Sequence, residues 1–242
     1  MATHSNEKDG FAMSSQLPLK VIARIHSDFP TKFGIPRQSG LIDSLKSTIV
    51  FEPAYRNADA LRGLEGYSHI WLIWQFSETV MEDWCPTVRP PRLGGNIKMG
   101  VFASRSPFRP NAIGLSSVKL DKIQLESPQG PLLFVSGADL MHGTPIYDIK
   151  PYLPYVDCHP DATGGFALQS KAGTLTVNFP QQLRGLMPQE NLGTLLEILA
   201  QDPRPAYQNT PNRIYGFEFA GFEVRFTVEN NLLTVKELLP IK

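Results

Sequence analysis

Proline and glycine recur so often along this chain that they limit the length of any regular element. The sequence of 242 residues holds 21 prolines and 19 glycines, about a sixth of the chain where an average protein has about 12%. Because proline lacks a backbone donor and glycine is costly to order, long helices are disfavoured and short strands joined by loops are favoured. With 42% hydrophobic residues available for a core, the composition predicts a mainly β fold.

The strand pattern divides the chain into two parts. Apolar and β-branched runs separated by irregular joints fill the first part, and about six or seven strands with almost no helix favour a closed or nearly closed β-barrel. Beyond the turn-forming segment 158–165, a leucine-periodic helix over 189–201 and a β-hairpin follow, which predicts a small α+β unit. We therefore expect a flexible tail at 1–17, an N-terminal barrel domain at 18–160 and a C-terminal α+β domain at 165–242.

The longest apolar run of the chain lies in the segment 68–76, SHIWLIWQF. Its near-continuous hydrophobicity predicts a strand buried on both faces, and a core position is the first interpretation of His69 within it. The run is far shorter than the ~20 residues that cross a bilayer. The first 20 residues also lack the basic start and apolar core of a secretory signal, so we expect a soluble protein without a membrane segment.

Cysteine usage favours a reducing compartment. The two cysteines, Cys85 and Cys158, form neither a metal-binding spacing nor a disulfide framework, so a cytoplasmic protein is the simpler interpretation. The signatures of P-loop, Rossmann, serine-hydrolase and zinc-protease sites are also missing from the sequence. We expect no metal site.

The charges balance overall but are unevenly distributed. The chain has 23 basic and 23 acidic residues, which argues against a strongly basic protein that binds nucleic acid indiscriminately. Residues 84–120 nevertheless hold six basic side chains and no acidic one. A solvated surface loop would explain such a stretch, but prolines and glycines hold these cations on stiff loops, which favours a site for a phosphate or carboxylate.

Three loop clusters combine prolines with polar side chains. They are Gly34–Gln38, Arg105–Asn111 and Asp139–Tyr152. Taken singly, each cluster is more often a structural turn than a ligand site. Flanking prolines preorganise the polar groups, and three such clusters in one barrel favour a pocket for an anionic, planar ligand.

The clusters resemble the motifs of the TsaA-like (TrmO-type) methyltransferase family. Four motifs occur in order: FGIPRQ at 33–38, YSHIW at 67–71, FASRSPFRPNAIG at 102–114, and the segment 139–152. Residues 202–207 and the hairpin after them resemble the C-terminal domain of longer bacterial members. Members of the family methylate N6 of threonylcarbamoyladenosine at position 37 of the tRNA anticodon loop, using S-adenosylmethionine. The resemblance implies the same activity here, a β-barrel, and a homodimer with the cofactor at or near the subunit interface.

Residues carried over by motif form the expected binding sites. The resemblance implies S-adenosylmethionine contacts from Pro36, Arg37, Gln38, His69, Ile70, Arg105, Leu115, Asp139, Leu140, Met141 and His142. An arginine suits the methionine carboxylate, and backbone groups of the last loop suit the adenine edge. The tRNA phosphate contacts are predicted from charge and not from the motifs: Arg89, Arg92, Arg109 and Lys119 in the basic stretch 84–120 and, in the C-terminal domain, Arg204.

Methyl transfer to a ureido nitrogen requires a proton to leave. We interpret Asp148, and less favourably Asp139, as the group that accepts this proton, with Tyr147 or Tyr152 packing on the base. A structural role for both carboxylates, as acceptors for loop amides, fits the sequence equally well. Two rival functions also stay open at this point: a non-catalytic RNA-binding or scaffold barrel, and a methyltransferase with another acceptor.

Overall fold

The computed structural model describes residues 18–79, 83–90, 93–169, 173–204, 210 and 213–241. The predicted tail at 1–17 and the predicted tRNA contact Arg92 lie outside the described residues. Among the residues described, no helix is both long and apolar enough to cross a membrane. The strands of the N-terminal part are β1 (Ala23–His26), β2 (Lys46–Phe51), β3 (His69–Gln75), β4 (Thr87–Val88), β5 (Met99–Gly100), β6 (Ile113–Gln124), β7 (Leu132–Ser136) and β8 (Pro145–Pro151).

Within the described ranges, six of these strands close into an antiparallel barrel, which confirms the predicted fold. Their order is β1-β2-β7-β6-β3-β8, and β8 pairs with β1 to complete the ring. Strands β4 and β5 form a separate two-stranded sheet. Closure leaves the barrel without a free strand edge, so backbone donors and acceptors find partners around the whole ring. Short 3₁₀ helices lie at Pro53–Tyr55, Ala58–Leu61, Leu64–Gly66 and Val101–Ala103.

Burial alternates along β3, as expected for a barrel wall with one face inward. Ile70, Leu72 and Trp74 are buried, whereas the residues between them are half-buried. The predicted burial on both faces is therefore wrong, because outward side chains such as Trp71 are only partly covered by neighbouring elements. His69 is exposed at the start of the strand, so its interpretation as a core histidine is also wrong.

The C-terminal part is a four-stranded sheet with one longer helix. Its elements, after α1 (Pro154–Asp157) and α2 (Phe166–Gln169), are β9 (Thr176–Asn178), α3 (Gln181–Arg184), α4 (Gln189–Ala200), β10 (Tyr215–Phe219), β11 (Phe222–Glu229) and β12 (Leu232–Pro240). The sheet order is β10-β11-β12-β9, with β9 parallel to β12. The leucine period of α4 buries one face of the helix, as predicted. The predicted hairpin also forms, with left-handed Asn230 and Asn231 at its tip.

The buried side chains form two clusters, one of which combines both parts of the chain. The first cluster fills the barrel. The second contains the buried residues of the C-terminal sheet and of α4, together with Phe29, Ile42 and Leu45 from the segment between β1 and β2. The N-terminal part therefore contributes a loop to the C-terminal core, and the domain boundaries drawn from the sequence stay predictions.

Substitution of Gly114 by alanine should destabilise the barrel. Gly114 lies opposite Trp74, and a Cβ there would come within 2.3 Å of the indole ring. The ring cannot move away without losing its hydrogen bond from Nε1 to Ser116 Oγ. We expect Gly114→Ala to lower the free energy of unfolding by roughly 1–3 kcal/mol, measured by chemical denaturation.

The matched control is Gly216→Ala, in strand β10. A Cβ at Gly216 would meet its nearest neighbour at an ordinary 3.7 Å, so that variant should be neutral or slightly stabilising. Equal stability of the two variants would contradict the close packing of Trp74 on Gly114.

Candidate functional site

Three loops leave the same end of the barrel. They are loop A (residues 27–45, between β1 and β2), loop B (residues 101–112, between β5 and β6) and loop C (residues 137–144, between β7 and β8). The strand register places them together, because Lys46 lies opposite Ser136, and Trp74 lies opposite both Gly114 and Ile146. Two of the predicted clusters and the start of the third therefore lie at one edge.

Loops A and B meet through two side chains predicted to bind the cofactor. Arg105 Nη1 donates a hydrogen bond to Gln38 Oε1 at 2.5 Å, and Gln38 Nε2 donates to the carbonyl of Arg37. Pro36 is buried, whereas Arg37 and Arg105 are exposed. A guanidinium has five N–H donors, so Arg105 retains donors for an anion after bonding to Gln38.

The Asp139 carboxylate joins loop C to loop A and to the barrel interior. Ser116 Oγ donates to Asp139 Oδ1 at 2.6 Å, and Trp74 Nε1 donates to the same Ser116 oxygen at 3.0 Å. The backbone amides of Ser39 and of Asp139 itself also lie near the carboxylate and favour its ionised form. Barrel and loop residues thus converge on one side chain.

Burial dominates the ionisation of Asp139. Removal from solvent raises the pKa of this carboxyl above its usual range, although hydrogen bonds from Ser116 and Ser39 and the charge of Arg105 favour the ionised form. Arg105 therefore influences both Gln38 and Asp139. Among the described residues, no group of three or more His, Cys, Asp or Glu is placed to hold a metal ion.

The rest of loop C is held by the first residues of loop A. Ser27 Oγ donates to the carbonyl of Leu140 at 2.9 Å, and the amide of His142 donates to the carbonyl of Phe29 at 2.8 Å. Leu140 is buried in the barrel core, Met141 is half-buried and His142 is exposed. Leu140 is therefore covered by the barrel core, whereas His142 offers its side chain to a ligand.

Leu115 and Asp148 lie on the outer face of the barrel. Leu115 is opposite Ile73, and Ile73 is opposite Asp148; side chains directly opposite each other in a sheet share a face. Leu115 is 55% exposed. Because β6 and β8 are two strand spacings apart, about 10 Å of sheet separates their backbones. Leu115, a predicted cofactor contact, and Asp148, the predicted proton acceptor, therefore lie on the same surface.

Asp148 follows a β-bulge. The register of β8 against β3 shifts by one residue, which leaves Tyr147 unpaired beside Asp148. The amide of Ile149 donates to Asp148 Oδ1 at 2.9 Å, and Lys150 Nζ lies 3.1 Å from Oδ2. Bulges redirect side chains and often lie next to active sites. The Asp148 side chain is 47% exposed, so the carboxylate is accessible from solvent.

His69 and Ile70 lie further along β3 from the loops. His69 is opposite Lys119, and its Nδ1 is 2.9 Å from Ser68 Oγ. Ile70 is fully buried in the barrel core. In the part of the chain that the structure describes, neither residue has a hydrogen bond to loop A, B or C. The geometry of one chain therefore brings together Gln38, Arg105 and Asp139, but not His69 and Ile70.

Comparison with known protein families covers both parts of the chain. Residues 24–158 match the tRNA-methyltransferase O N-terminal domain, and residues 172–241 match the TrmO C-terminal domain. The chain belongs to the TrmO family.

The similarity to individual relatives covers most of the chain. A tRNA (adenine(37)-N6)-methyltransferase of Escherichia coli is 40% identical over 235 residues, which cover 93% of this chain and 99% of the relative. One of Eikenella corrodens is 45% identical over 177 residues, 73% of this chain and 99% of the relative. A crystal structure of TrmO from Pseudomonas aeruginosa has a TM-score of 0.74 at 32% identity and covers 93% of this chain and 97% of its own.

Arg89, one of the basic residues predicted to contact tRNA, is exposed. It lines a cavity of about 450 Å³ together with Cys85, Thr87, Gly95 and Lys98. Hydrogen bonds from Thr87, followed by the charges of Lys98 and Arg89, lower the pKa of the exposed Cys85 thiol despite some desolvation. The cavity is therefore an electropositive opening within the acid-free stretch 84–120.

Arg109, Lys119 and Arg204 each have an acceptor nearby. Arg109 Nη1 donates to the carbonyl of Ser104 at 3.1 Å and so closes loop B on itself. Lys119 is exposed and lies 3.9 Å from an Asp121 carboxylate oxygen. The Arg204 side chain is only 15% exposed and donates to both carboxylate oxygens of Asp202 at 2.7 Å. A phosphate at Arg204 would have to displace this matched carboxylate.

The residues that hold the TrmO-family loops together lie outside the motifs. Ser116 and Trp74 support Asp139 from inside the barrel, and the Ser39 amide supports it from loop A. One signal was available: Ser116 occupies an inward position of β6, between the buried Gly114 and Val118. A polar side chain at such a position needs a buried partner.

Replacement of Asp139 by asparagine should change the pH dependence of stability. The pKa of Asp139 is raised in the folded protein relative to about 3.9 in an unfolded chain. The folded protein therefore binds more protons between the two values, so the stability from this carboxyl is present at low pH and lost as pH rises through the raised pKa. The free energy of unfolding of the wild type minus that of Asp139→Asn should fall through this window and then level off.

Chemical denaturation at a series of pH values measures this difference. Other shifted groups, such as Asp28, whose pKa is raised by burial, are common to both proteins and cancel. A difference that rises with pH would contradict the prediction, because it would mean that the donors around Asp139 outweigh its burial.

Proposed function

We propose that this protein methylates N6 of the adenosine at position 37 of tRNA, with S-adenosylmethionine as the methyl donor. The observation that carries the proposal is the 40% identity to the Escherichia coli tRNA (adenine(37)-N6)-methyltransferase, over 99% of that enzyme's length. Loops A, B and C all lie inside the matched N-terminal family domain. A soluble tRNA-modifying enzyme also agrees with the sequence-based prediction of a cytoplasmic protein.

For the acceptor we propose adenosine that already carries the threonylcarbamoyl group. The motifs at 33–38, 67–71, 102–114 and 139–152 resemble those of family members that act on this nucleoside. The acceptor nitrogen is then part of a ureido group, whose lone pair is delocalised. Loss of its proton during the reaction makes a positioned base useful.

The residues of loops A, B and C fit S-adenosylmethionine. The exposed guanidinium groups of Arg37 and Arg105 suit its carboxylate. The family resemblance assigns the adenine edge to loop C, whose backbone is held in shape by bonds of the Leu140 carbonyl to Ser27 and of the His142 amide to Phe29. The bound cofactor supplies an electrophilic methyl group. The protein's own contribution is orientation: the Arg105–Gln38 bond fixes loop B on loop A, and Asp139 fixes loop C on loop A.

Of the two carboxylates, we propose Asp148 as the proton acceptor. Asp139 is surrounded by donors that already use its oxygens, which supports a structural role in joining the loops. Asp148 is accessible, and its bonds to the Ile149 amide and to Lys150 hold it in one orientation. Tyr147, unpaired at the bulge, supplies an aromatic neighbour for the base.

A homodimer is part of the proposal. Large apolar side chains are exposed around the loops and on the outer barrel face; they include Phe33, Phe102, Phe108, Ile113 and Leu115. An exposed apolar surface of this kind is typical of an interaction site. A second copy of the chain would cover it and bring the outer face near the cofactor loops.

Nucleoside analysis tests the function against its rivals. tRNA from cells without the protein should lack N6-methylated threonylcarbamoyladenosine, and the purified protein with S-adenosylmethionine should restore it, as read by mass spectrometry. An unchanged nucleoside profile together with no cofactor binding in calorimetry would favour a non-catalytic RNA-binding barrel. Cofactor binding with a different missing nucleoside would favour another acceptor.

Replacement of Asp148 by asparagine should abolish most turnover and leave cofactor affinity intact. The amide keeps the size and one acceptor oxygen but cannot take a proton, so kcat should fall by about 100-fold or more. Turnover is measured with modified tRNA, and affinity by calorimetry with S-adenosylmethionine. The control is Asp59→Asn, which alters another exposed carboxylate paired with a cation, Arg62, away from the loops; it should keep normal turnover. Normal turnover in Asp148→Asn would remove Asp148 as the base.

Removal of two cations from the cavity near β4 should reduce the salt dependence of tRNA binding. Each phosphate contact contributes about 0.7–0.9 units to the slope of log K against log salt, so Arg89→Ala/Lys98→Ala should lower the slope by about 1.5. The control is Arg62→Ala/Lys20→Ala, which removes the same charge outside the stretch 84–120 and outside loops A, B and C. Equal slopes for the two double variants would show that only net charge matters.

A further inference from the structure

Loop A has no regular secondary structure over residues 27–45. Loops of this length are uncommon in compact domains unless they are functional, and holding one in a single shape costs conformational entropy. Pro36, Arg37 and Gln38, three of the proposed cofactor contacts, lie in the middle of it. Groups outside the loop must therefore hold them in position.

Loop C contacts the second half of loop A. The Gly40 amide donates to the carbonyl of Gly137 at 2.9 Å, and the Ser39 amide favours the ionised form of the Asp139 carboxylate. These contacts lie on the C-terminal side of Gln38. They leave the approach to Pro36 from the other side to be fixed by different contacts.

The C-terminal domain supplies those contacts. The Ala220 amide donates to the carbonyl of Asp28 at 3.0 Å, and the ring centroids of Phe29 and Phe219 are 5.3 Å apart. Ile35, directly before Pro36, packs against the C-terminal core. The end of β10 and the turn after it therefore run along the first half of loop A.

Phe217 touches the loop two residues before Pro36. Gly34 has a left-handed φ of +83°, and a Cβ there would lie 2.2 Å from the Phe217 ring. The ring thus rests directly on the Gly34 backbone. Phe217 is only 5% exposed, and β10 pairs with β11 along its whole length, so the ring has little freedom to move.

We infer that Phe217 is a positioning residue for cofactor binding, because its ring fixes the Gly34 backbone from which Pro36, Arg37 and Gln38 extend. The inference rests on the proposed function, in which these three residues contact S-adenosylmethionine. It gives the C-terminal domain a role in the cofactor site that is separate from any contact with tRNA.

The first test compares two core substitutions in the C-terminal sheet of the full-length protein. Phe217→Leu shortens the side chain that meets Gly34. Val228→Ala alters a buried residue of the same sheet, four positions along β11 from Val224, the partner of Phe217, and therefore about 13 Å away along the strand. Phe217→Leu should raise Kd and KM for S-adenosylmethionine about fivefold or more, with kcat at saturating cofactor and KM for tRNA unchanged. Val228→Ala should leave all four values unchanged, even where thermal unfolding shows a similar loss of stability.

The second test approaches the contact from the loop. Gly34→Ala introduces a methyl group against the Phe217 ring, whereas Gly63→Ala introduces one at a glycine with a similar φ of +88° and nothing within 4 Å. Both substitutions place a side chain at a left-handed φ and therefore cause similar backbone strain. A difference in cofactor affinity between the two variants thus measures the contact with Phe217. Gly34→Ala should weaken S-adenosylmethionine binding as Phe217→Leu does, and Gly63→Ala should not. If Phe217→Leu does not fold, the comparison of Gly34→Ala with Gly63→Ala tests the positioning role of Phe217 without it.

Hydrogen exchange in the absence of cofactor provides a readout that does not depend on activity. The His142 amide, bonded to the carbonyl of Phe29 in the first half of loop A, should exchange faster in Phe217→Leu and Gly34→Ala than in the wild type or the two controls. Unchanged exchange and unchanged cofactor affinity in both variants would overturn the inference.

Arg105→Ala separates that result from a failure of the proposed function. If Arg105→Ala weakens cofactor binding while Phe217→Leu and Gly34→Ala do not, the cofactor site stands and the positioning role is wrong. If none of the three variants alters the affinity of a protein that binds S-adenosylmethionine, the cofactor lies elsewhere and the proposed site itself is wrong.

Discussion

The backbone of loop A contains no helix or strand between residues 27 and 45, so its amides and carbonyls find partners one at a time. Ordering such a segment costs about 1–2 kcal/mol per residue in backbone entropy alone. Contacts with Asp139 and Gly137 of loop C offset part of this entropy. Burial of Phe29, Ile42 and Leu45 in the C-terminal core offsets another part. The shape of the candidate cofactor site therefore depends on both halves of the chain being folded.

The Asp139 carboxylate is the group at which loop A, loop C and the barrel interior meet. Its donors favour ionisation, but burial raises the pKa, so desolvation is the larger effect. A buried charge of this kind adds little net stability, whereas removing one of its partners is costly. Its main effect is geometric: Ser116, Ser39 and the start of loop C can satisfy the carboxylate together in only one relative position.

The sequence predicted the fold better than the internal contacts of the site. Proline and glycine density, strand length and the leucine period of α4 are local signals, and the barrel, the helix and the Asn230–Asn231 hairpin followed from them. The segment 68–76 was misjudged because half-buried outward residues such as Trp71 are as hydrophobic as core residues. The order of the motifs predicted that Gln38, Arg105 and Asp139 belong to the site. The contact of Gly34 with Phe217 joins segments that are far apart in the sequence, so no local pattern predicts it.

The arrangement of the candidate groups in one chain favours a site that a single copy does not complete. Gln38, Arg105 and Asp139 meet at the end of the barrel, whereas Leu115 and Asp148 face outward on its wall. In-line methyl transfer needs donor and acceptor atoms about 3–3.5 Å apart, so a base at Asp148 has to lie close to the cofactor loops that serve it. Under the proposed homodimer, the exposed apolar surface around Leu115 faces a second copy, whose cofactor loops then lie against this wall. Cofactor loops from one chain and a base from the other would thus complete one reaction centre, with the acid-free stretch 84–120 left to meet the tRNA.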